Sequence, residues 1–269
     1  MRRLTPYNGG KDSIDKPSFT EDLMKRIVFA HRGLSTVAPE NTRSAFALAA
    51  ERGVKWLETD VDIIGDGTPI ICHDTTLDRT TNMSGGYYHL ASADLSEIDA
   101  GSWFGEEFSG EPLLTLRVLV DLLNQTGMNA NIELKSNENG KEMSLRLIDS
   151  VIAELSRLDP QREVIVSCFN HVLLAEFKRR APQYPVGCLY SKATLSDDWR
   201  SVLELVGADY IHPEDDGLTR KQVVDFRAAG FGVNVWTVNS KARANQLFNW
   251  GCTGVFTDVA DQFIHFQRT

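Results

Sequence analysis

The chain has 269 residues, of which 42% are hydrophobic and 24% are charged, with 20 glycines and 9 prolines. These proportions are typical of a globular protein and exclude disordered, collagen-like and coiled-coil chains. The net charge is −9 and the isoelectric point is near 5.2. Because nucleic acids and anionic membranes are bound through basic patches, this balance argues against nucleic acid and against stable membrane association.

The N-terminal segment, residues 1–25, lacks the periodicity of the rest of the chain. Its polar stretch after Arg3 contains no hydrophobic signal-peptide region, and no apolar run approaches the roughly 18 residues of a membrane-spanning helix. Four widely spaced cysteines without a CxxC pair are expected to be buried free thiols in a reducing compartment. The sequence therefore predicts a cytoplasmic protein with an N-terminal extension at 1–25 and one domain at 26–269.

After this extension, short β-rich runs alternate with amphipathic helical stretches. The predicted strands are 27–31, 56–63, 131–135, 164–169, 186–190, 210–212, 232–238 and 254–257. The predicted helices are 42–52, 115–124, 143–157, 170–180, 219–229 and 240–250. Several strands are apolar throughout, which is typical of parallel strands covered on both faces. Eight such strands predict an α/β fold of the TIM (β/α)8 barrel type, with an open doubly wound sheet as the alternative.

Two features interrupt this alternation after the second strand. Gly65-Asp66-Gly67 and a β-rich run at 69–73 follow so closely that the connection is expected to be a hairpin, which places His73 beside Glu58. About forty residues then precede the next helix, forming a small insertion at about 74–113. Its glycines, serines and aromatic residues are typical of a functional loop, such as a lid or a pocket wall.

Charged and polar side chains occur where the predicted strands end, which in a barrel is the face that carries the active site. They are His31 and Arg32 after the first strand, Glu58 and Asp60 on the second, His73 after the hairpin, and Glu133 and Lys135 on the next strand. Alternation along a strand turns residues two apart to the same side. Inward charges on otherwise apolar strands are costly without a metal or a partner. Three carboxylates without a thiolate suit Mg²⁺, Ca²⁺ or Mn²⁺ rather than structural zinc.

Nine short motifs then follow one another along the chain. They are FAHRG at 29–33, APENT at 38–42, ETDV at 58–61, HDxxLxRTT at 73–81, AGSWF at 100–104, NIELK at 131–135, SxF at 167–169, WTVN at 236–239 and FTD at 256–258. In this order they resemble the glycerophosphodiester phosphodiesterase family. The lack of a signal sequence resembles the cytoplasmic bacterial members of that family.

The resemblance implies a TIM barrel with a small insertion and an activity on small-molecule glycerophosphodiesters. These would be hydrolysed to sn-glycerol 3-phosphate and an alcohol. The implied residue roles are Glu58, Asp60 and Glu133 as ligands of a divalent cation, His31 and His73 as catalytic acid and base, Arg32 and Lys135 on the phosphate, and Trp236, Trp103 and Phe104 as pocket lining. We hypothesise that His31 is the base and His73 the acid in the first step, with the glycerol 2-hydroxyl as nucleophile.

Two alternative functions remain open from the sequence. A lysophospholipase D-like enzyme would use the same barrel on a lipid, with the aromatic insertion admitting an acyl chain. A non-catalytic phosphodiester-binding module would be indicated by a missing metal ligand or histidine, and none is missing.

Overall fold

The computed structural model describes residues 26–268, so the predicted extension at 1–25 lies outside the described residues. The strands in this range are β1 (Ile27–His31), β2 (Trp56–Ile63), β3 (Pro69–Ile71), β4 (Asn129–Leu134), β5 (Val164–Cys168), β6 (Val186–Tyr190), β7 (Tyr210–Pro213), β8 (Gly232–Val235) and β9 (Gly254–Thr257). All except β3 pair in parallel, and β1 pairs with both β2 and β9. This double pairing closes the sheet, which confirms the barrel and excludes the open doubly wound sheet.

Helices connect the barrel strands on the outside. They are α1 (Arg43–Glu51), α2 (Leu116–Thr126), α3 (Gly140–Leu155), α4 (His171–Arg180), α5 (Trp199–Val206), α6 (Arg220–Ala228) and α7 (Lys241–Trp250). Several begin at a hydroxyl residue whose oxygen accepts a backbone N–H of the first turn, as Thr42, Thr115 and Ser240 do. Such caps satisfy N–H groups that have no partner inside the helix and fix where each helix starts.

The helix α5 was not among the predicted helices. It has only eight residues, and within it Leu203 and Val206 are buried while Leu205 is 85% exposed. With only about two turns, it is shorter than the roughly 10–12 residues over which a helical period can be recognised in a sequence. Three predicted strands also extend past the observed ends, because residues such as Phe169 and Trp236 already belong to loops at the barrel rim.

Five apolar residues fill one end of the barrel interior, namely Ile27, Phe29, Trp56, Ile165 and Phe256. The ring of Phe29 stacks on that of Phe256 at 4.4 Å and meets that of Trp56 edge-on at 5.4 Å. These residues lie at or near the beginnings of β1, β2 and β5 or midway along β9. The opposite end, where the strands finish, is therefore left for polar side chains.

The strand β3 pairs antiparallel with β2, which confirms the hairpin. The register sets Val61 opposite Ile71, so that His73 falls level with Thr59, one residue from the predicted partner Glu58. The insertion that follows has two short 3₁₀ helices, Ser92–Glu97 and Glu106–Phe108. It builds a core of its own from Ile64, Ile70, Cys72, Leu77, Tyr87, Leu95, Ile98, Ala100 and Leu113.

Tyrosine hydroxyls anchor the insertion to the barrel through a buried carboxylate. Asp62 on β2 is fully buried, and its Oδ2 accepts from Tyr87 at 2.8 Å and from Tyr88 at 2.7 Å. The Tyr87 hydroxyl also lies 3.0 Å from the carbonyl oxygen of Asp74. This contact ties the insertion to the residue that follows His73.

We expect Tyr87→Phe to lower the free energy of unfolding by about 1–3 kcal/mol, because a buried carboxylate loses a donor. Urea denaturation at neutral pH would measure the loss. Tyr88→Phe is the matched control and is expected to cost less, since the Tyr88 side chain is only partly buried. Equal stability of Tyr87→Phe and the parent chain would contradict the anchoring role.

All four cysteines are buried and free, as the sequence predicted. Within residues 26–268, no helix has the combined length and apolar character needed to span a lipid bilayer.

Candidate active site

Three buried carboxylates meet at the end of the barrel where the strands finish. Glu58 and Asp60 lie on β2 and Glu133 on β4, with Asp60 and Glu133 paired in register. One oxygen from each lies within 4.8 Å of the others, and the three residues are 4%, 1% and 9% exposed. Period-two alternation on β2 and the parallel register of β4 thus place three acceptors around one point.

Two cations and an amide contact this cluster. Lys135 Nζ lies 2.9 Å from Glu133 Oε1 and 3.4 Å from Asp60 Oδ1. The Nε of Arg32 is 3.4 Å from Asp60 Oδ2, which also accepts from Asn41 Nδ2 at 3.0 Å. Burial raises the pKa of Asp60. The positive charges of Lys135 and Arg32 lower it by a larger amount, so the net shift is downward.

The other two carboxyls of the cluster shift in the opposite direction. Burial, followed by the negative charge of Asp60, raises the pKa of Glu58 and of Glu133. Two cations therefore do not balance three carboxylates and leave an excess of negative charge in a buried space. An all-oxygen donor set of this kind fits a hard divalent cation such as Mg²⁺, Ca²⁺ or Mn²⁺.

His31, the last residue of β1, is oriented by Asp258 in the loop after β9. Its Nδ1 lies 2.7 Å from Asp258 Oδ1, and its Nε2 is 3.9 Å from Glu58 Oε2. Asn239 in turn donates to Asp258 Oδ2 at 2.7 Å. Burial lowers the pKa of His31, but the hydrogen bond to Asp258 and the charge of Glu58 raise it more, and the net shift is upward.

His73 faces the same space from the hairpin side. Its Nδ1 lies 2.6 Å from Asp74 Oδ1, so the other ring nitrogen is left for the cavity. Burial lowers the pKa of His73, and the positive charges of Lys135 and Arg32 add to this, against the opposing charge of Asp60. Each of the two histidines is therefore held at Nδ1 by an aspartate carboxylate, but their pKa values shift in opposite directions.

Two residues of the loop after β1 have a left-handed backbone conformation that positions groups of this site. Arg32 and Asn41 have φ angles of 56° and 59°, a left-handed conformation that is costly for residues other than glycine. In this conformation the backbone N–H of Arg32 donates to Glu58 Oε2 at 3.1 Å. The Asn41 side chain donates to Asp60 and accepts from Thr59 Oγ1 at 2.8 Å. The strained positions thus hold two of the clustered carboxylates in place.

A cavity of about 250 Å³ opens over these groups. Its lining comprises His31, Arg32, Glu58, His73, Asn131, Glu133, Ser167, Phe169, Leu189, Trp236 and Phe256. One wall is thus polar and charged, and the other is apolar. At the mouth, Phe169 is 43% exposed and meets the ring of Trp236 edge-on at 5.6 Å.

Two neutral polar groups in the lining come from β4 and β5. Asn131 Nδ2 donates to Ser167 Oγ at 2.8 Å, while Asn131 Oδ1 is buried without a hydrogen-bond partner in the protein. The Ser167 hydroxyl accepts this bond and keeps its own proton to donate. Together they present one acceptor and one donor, the pair that an alcohol hydroxyl requires.

The structure brings together most of the residues singled out in the sequence. His31, Arg32, Glu58, His73, Glu133 and Trp236 line the cavity, and Asp60 and Lys135 contact the lining directly. Trp103 and Phe104 are not among the lining residues. Their rings pack edge-on against each other at 5.5 Å, and Phe104 packs on Phe108 within the insertion. None of residues 74–113 is among the lining residues; Tyr87 belongs to the insertion's own core, and Trp103 is exposed.

Several contributing residues were not singled out beforehand. They are the histidine partners Asp74 and Asp258, the Arg32 partner Glu40, the Asp60 partner Asn41, and the lining residues Asn131, Ser167, Phe169, Leu189 and Phe256. Most of them lie inside the motifs of the sequence. The signal was therefore present, but the contacts depend on how distant segments meet in space.

Comparison with known proteins agrees with this geometry. The model of the glycerophosphoryl diester phosphodiesterase family matches residues 31–262. A glycerophosphodiester phosphodiesterase of Caldanaerobacter subterraneus subsp. tengcongensis is 33% identical over 245 residues, covering 91% of this chain and 99% of its own. One from Bacillus subtilis is 32% identical, covering 88% and 85%.

A solved structure of an Oleispira antarctica phosphodiesterase, in complex with the product sn-glycerol-3-phosphate, is 34% identical with a TM-score of 0.83. The match covers 88% of this chain and 95% of that one. The complete set of site residues and the named phosphodiesterase relatives argue against the alternative of a non-catalytic phosphodiester-binding module. The chain belongs to the glycerophosphoryl diester phosphodiesterase family and is an enzyme of the phosphoric diester hydrolase class.

Proposed function

We propose that the enzyme hydrolyses water-soluble glycerophosphodiesters to sn-glycerol 3-phosphate and a small alcohol, using His31 and His73 as base and acid beside a divalent cation. The observation that carries the proposal is the arrangement of two histidines, each backed by a carboxylate, around one cavity with three clustered carboxylates. The bound sn-glycerol-3-phosphate of the Oleispira antarctica structure supports the choice of substrate.

Glu58, Asp60 and Glu133 would hold the cation. When bound, it supplies Lewis-acid stabilisation of a phosphate oxygen. Arg32 and Lys135 add fixed positive charge on the same side of the cavity, where the negative charge of the phosphoryl group increases in the transition state. Arginine presents a planar fork suited to two phosphate oxygens, while lysine acts as a point charge.

The histidines would move the protons. His31, held at Nδ1 by Asp258, is placed to take a proton at Nε2 from the nucleophile. His73, held at Nδ1 by Asp74, is placed to donate from Nε2 to the departing alcohol oxygen. The pKa of His31 is shifted upward and that of His73 downward, which taken alone would favour the exchanged roles, since a base must start neutral and an acid protonated. The assignment is therefore tested by comparing leaving groups.

The glycerol 2-hydroxyl is the proposed nucleophile. Its attack on phosphorus gives a cyclic phosphate and the free alcohol, and water then opens the ring with the two histidines in exchanged roles. A diester that lacks this hydroxyl is expected to resist hydrolysis. Turnover of a propyl phosphocholine diester at the rate of glycerophosphocholine would instead identify water as the nucleophile of the first step.

Asn131 and Ser167 are proposed to recognise a glycerol hydroxyl. We expect Asn131→Ala to raise the inhibition constant of sn-glycerol 3-phosphate about five- to tenfold, the value of one hydrogen bond in a buried site. The inhibition constant of propyl phosphate, which has no hydroxyl, serves as the control and is expected to stay within twofold. An equal rise for both inhibitors would assign Asn131 a merely structural role.

The exposed Phe169, packed on the partly buried Trp236, gives the lysophospholipase D alternative some support, because an acyl chain would find an apolar surface at the mouth. The cavity itself, at about 250 Å³, suits a small alcohol. The test compares release of sn-glycerol 3-phosphate from glycerophosphocholine and glycerophosphoethanolamine with cleavage of lysophosphatidylcholine. We expect the two soluble diesters to be the better substrates. A higher kcat/KM on the lipid would favour the alternative. The cytoplasmic location stays a prediction.

A further inference from the structure

Arg79, in the insertion, joins two carboxylates at the edge of the site. Its Nε and Nη2 lie 2.6 and 3.0 Å from the two oxygens of Asp74. Its Nη1 and Nη2 lie 2.7 and 2.8 Å from the two oxygens of Glu40. One guanidinium therefore contacts both oxygens of two carboxylates that are far apart in the sequence.

Each of these carboxylates holds one side chain of the cavity. Asp74 Oδ1 lies 2.6 Å from His73 Nδ1, and Glu40 Oε1 accepts from Arg32 Nη1 at 2.9 Å. The contacts form a continuous chain from Arg32 through Glu40, Arg79 and Asp74 to His73. Its two ends are the phosphate-binding arginine and the histidine that faces the departing alcohol.

The arrangement suits positioning better than stability. The side chain of Arg79 is 44% exposed, and exposed ion pairs contribute little to the free energy of unfolding. A planar fork that contacts two carboxylates nevertheless fixes their relative orientation, which a flexible ammonium group does not. Without it, Glu40 and Asp74 would face each other as like charges.

We propose that Arg79 is a positioning residue of the phosphodiesterase reaction, setting His73 through Asp74 and Arg32 through Glu40. This inference rests on the proposed function, in which His73 is the acid and Arg32 binds the phosphate. It also gives the insertion a function, although the insertion does not line the cavity. The insertion supplies the guanidinium that fixes Arg32 and His73 relative to each other.

The test measures kcat and KM of Arg79→Ala on two substrates, glycerophosphocholine and the p-nitrophenyl ester of sn-glycerol 3-phosphate. Misplacement of catalytic groups is expected to lower kcat/KM for the choline ester by about 10- to 100-fold. The loss in kcat is expected to be much smaller for p-nitrophenol, because this leaving group departs without a proton. Arg79→Lys is expected to recover only part of the activity. Arg117→Ala removes another exposed arginine that bonds a glutamate, and is the control expected to leave activity unchanged.

A background that already lacks both links separates this inference from a general structural effect. In a Glu40→Ala, Asp74→Ala chain, Arg79→Ala is expected to change kcat/KM by less than about twofold, since both of its hydrogen-bond acceptors are gone. An equal loss in both backgrounds, or parental activity of Arg79→Ala, would overturn the inference. His73→Ala runs alongside: if it shows no dependence on the leaving group, the acid role of His73 fails, while the double-background comparison still decides on Arg79.

Discussion

Alanine in place of His31 or of His73 is expected to lower kcat for glycerophosphocholine by about 10²- to 10⁴-fold, the usual contribution of a general acid or base. Each substitution leaves its carboxylate partner, Asp258 or Asp74, in place but removes the group that exchanges a proton with substrate. Steady-state assays at saturating cation and neutral pH would measure the loss. His89→Ala, an exposed histidine of the insertion, is the control and is expected to keep parental activity.

The two variants are expected to differ in one respect. Since choline needs a proton to leave and p-nitrophenol does not, the deficit of His73→Ala is expected to shrink on the p-nitrophenyl ester. The deficit of His31→Ala is expected to persist on both esters, because the nucleophile must still be activated. The reverse pattern would exchange the two roles, and near-normal turnover of both variants would refute acid and base catalysis by these histidines.

Removal of divalent cations is expected to have an effect at least as large. Dialysis against EDTA should reduce turnover to background, and Mg²⁺ or Ca²⁺ should restore it. The cation should also stabilise the fold, because it relieves the repulsion among Glu58, Asp60 and Glu133. At a concentration of 100 times its Kd, a ligand stabilises the folded state by about 2.7 kcal/mol. For a chain of this size, that free energy corresponds to a rise in Tm of about 5–10 °C.

Thermal unfolding with and without the cation measures this effect independently of activity. Glu58→Gln removes one charge from the cluster and is expected to lose most of the cation-dependent rise in Tm. Glu142→Gln, an exposed residue of α3, should keep it. Unchanged Tm and unchanged turnover in EDTA would show that the three carboxylates do not hold a catalytic cation.

The barrel was predictable because its strands are short apolar runs with helical stretches between them. Residues 27–31 and 186–190 illustrate this, since a buried parallel strand has few alternatives once it is flanked by helices. The helix α5 was missed because its eight residues make only about two turns, too few for a helical period to stand out in the sequence. The hairpin followed from the length of its connection, but its register was one residue off, because the exact pairing depends on the turn geometry.

The charged residues of the site were predictable from alternation and from the resemblance to a family. Glu58 and Asp60 share a face of one strand, and the parallel neighbour must bring Glu133 beside them. The partners of the histidines were harder to assign. Asp258 meets His31 across a separation of 227 residues, and this contact follows only from the closure of β1 on β9. Trp103 and Phe104 show the limit of composition: aromatic residues in a loop near a site can pack against each other without lining it.

Release of sn-glycerol 3-phosphate from glycerophosphocholine, followed by ³¹P NMR with Mg²⁺, with Ca²⁺ and with EDTA, tests the central claim most directly. We expect the diester signal to be replaced by that of the phosphate monoester in the presence of at least one cation and to persist in EDTA. A cyclic phosphate that appears and then decays would support the 2-hydroxyl as nucleophile. A diester signal that persists with both cations, or that decays equally in EDTA, would contradict the account.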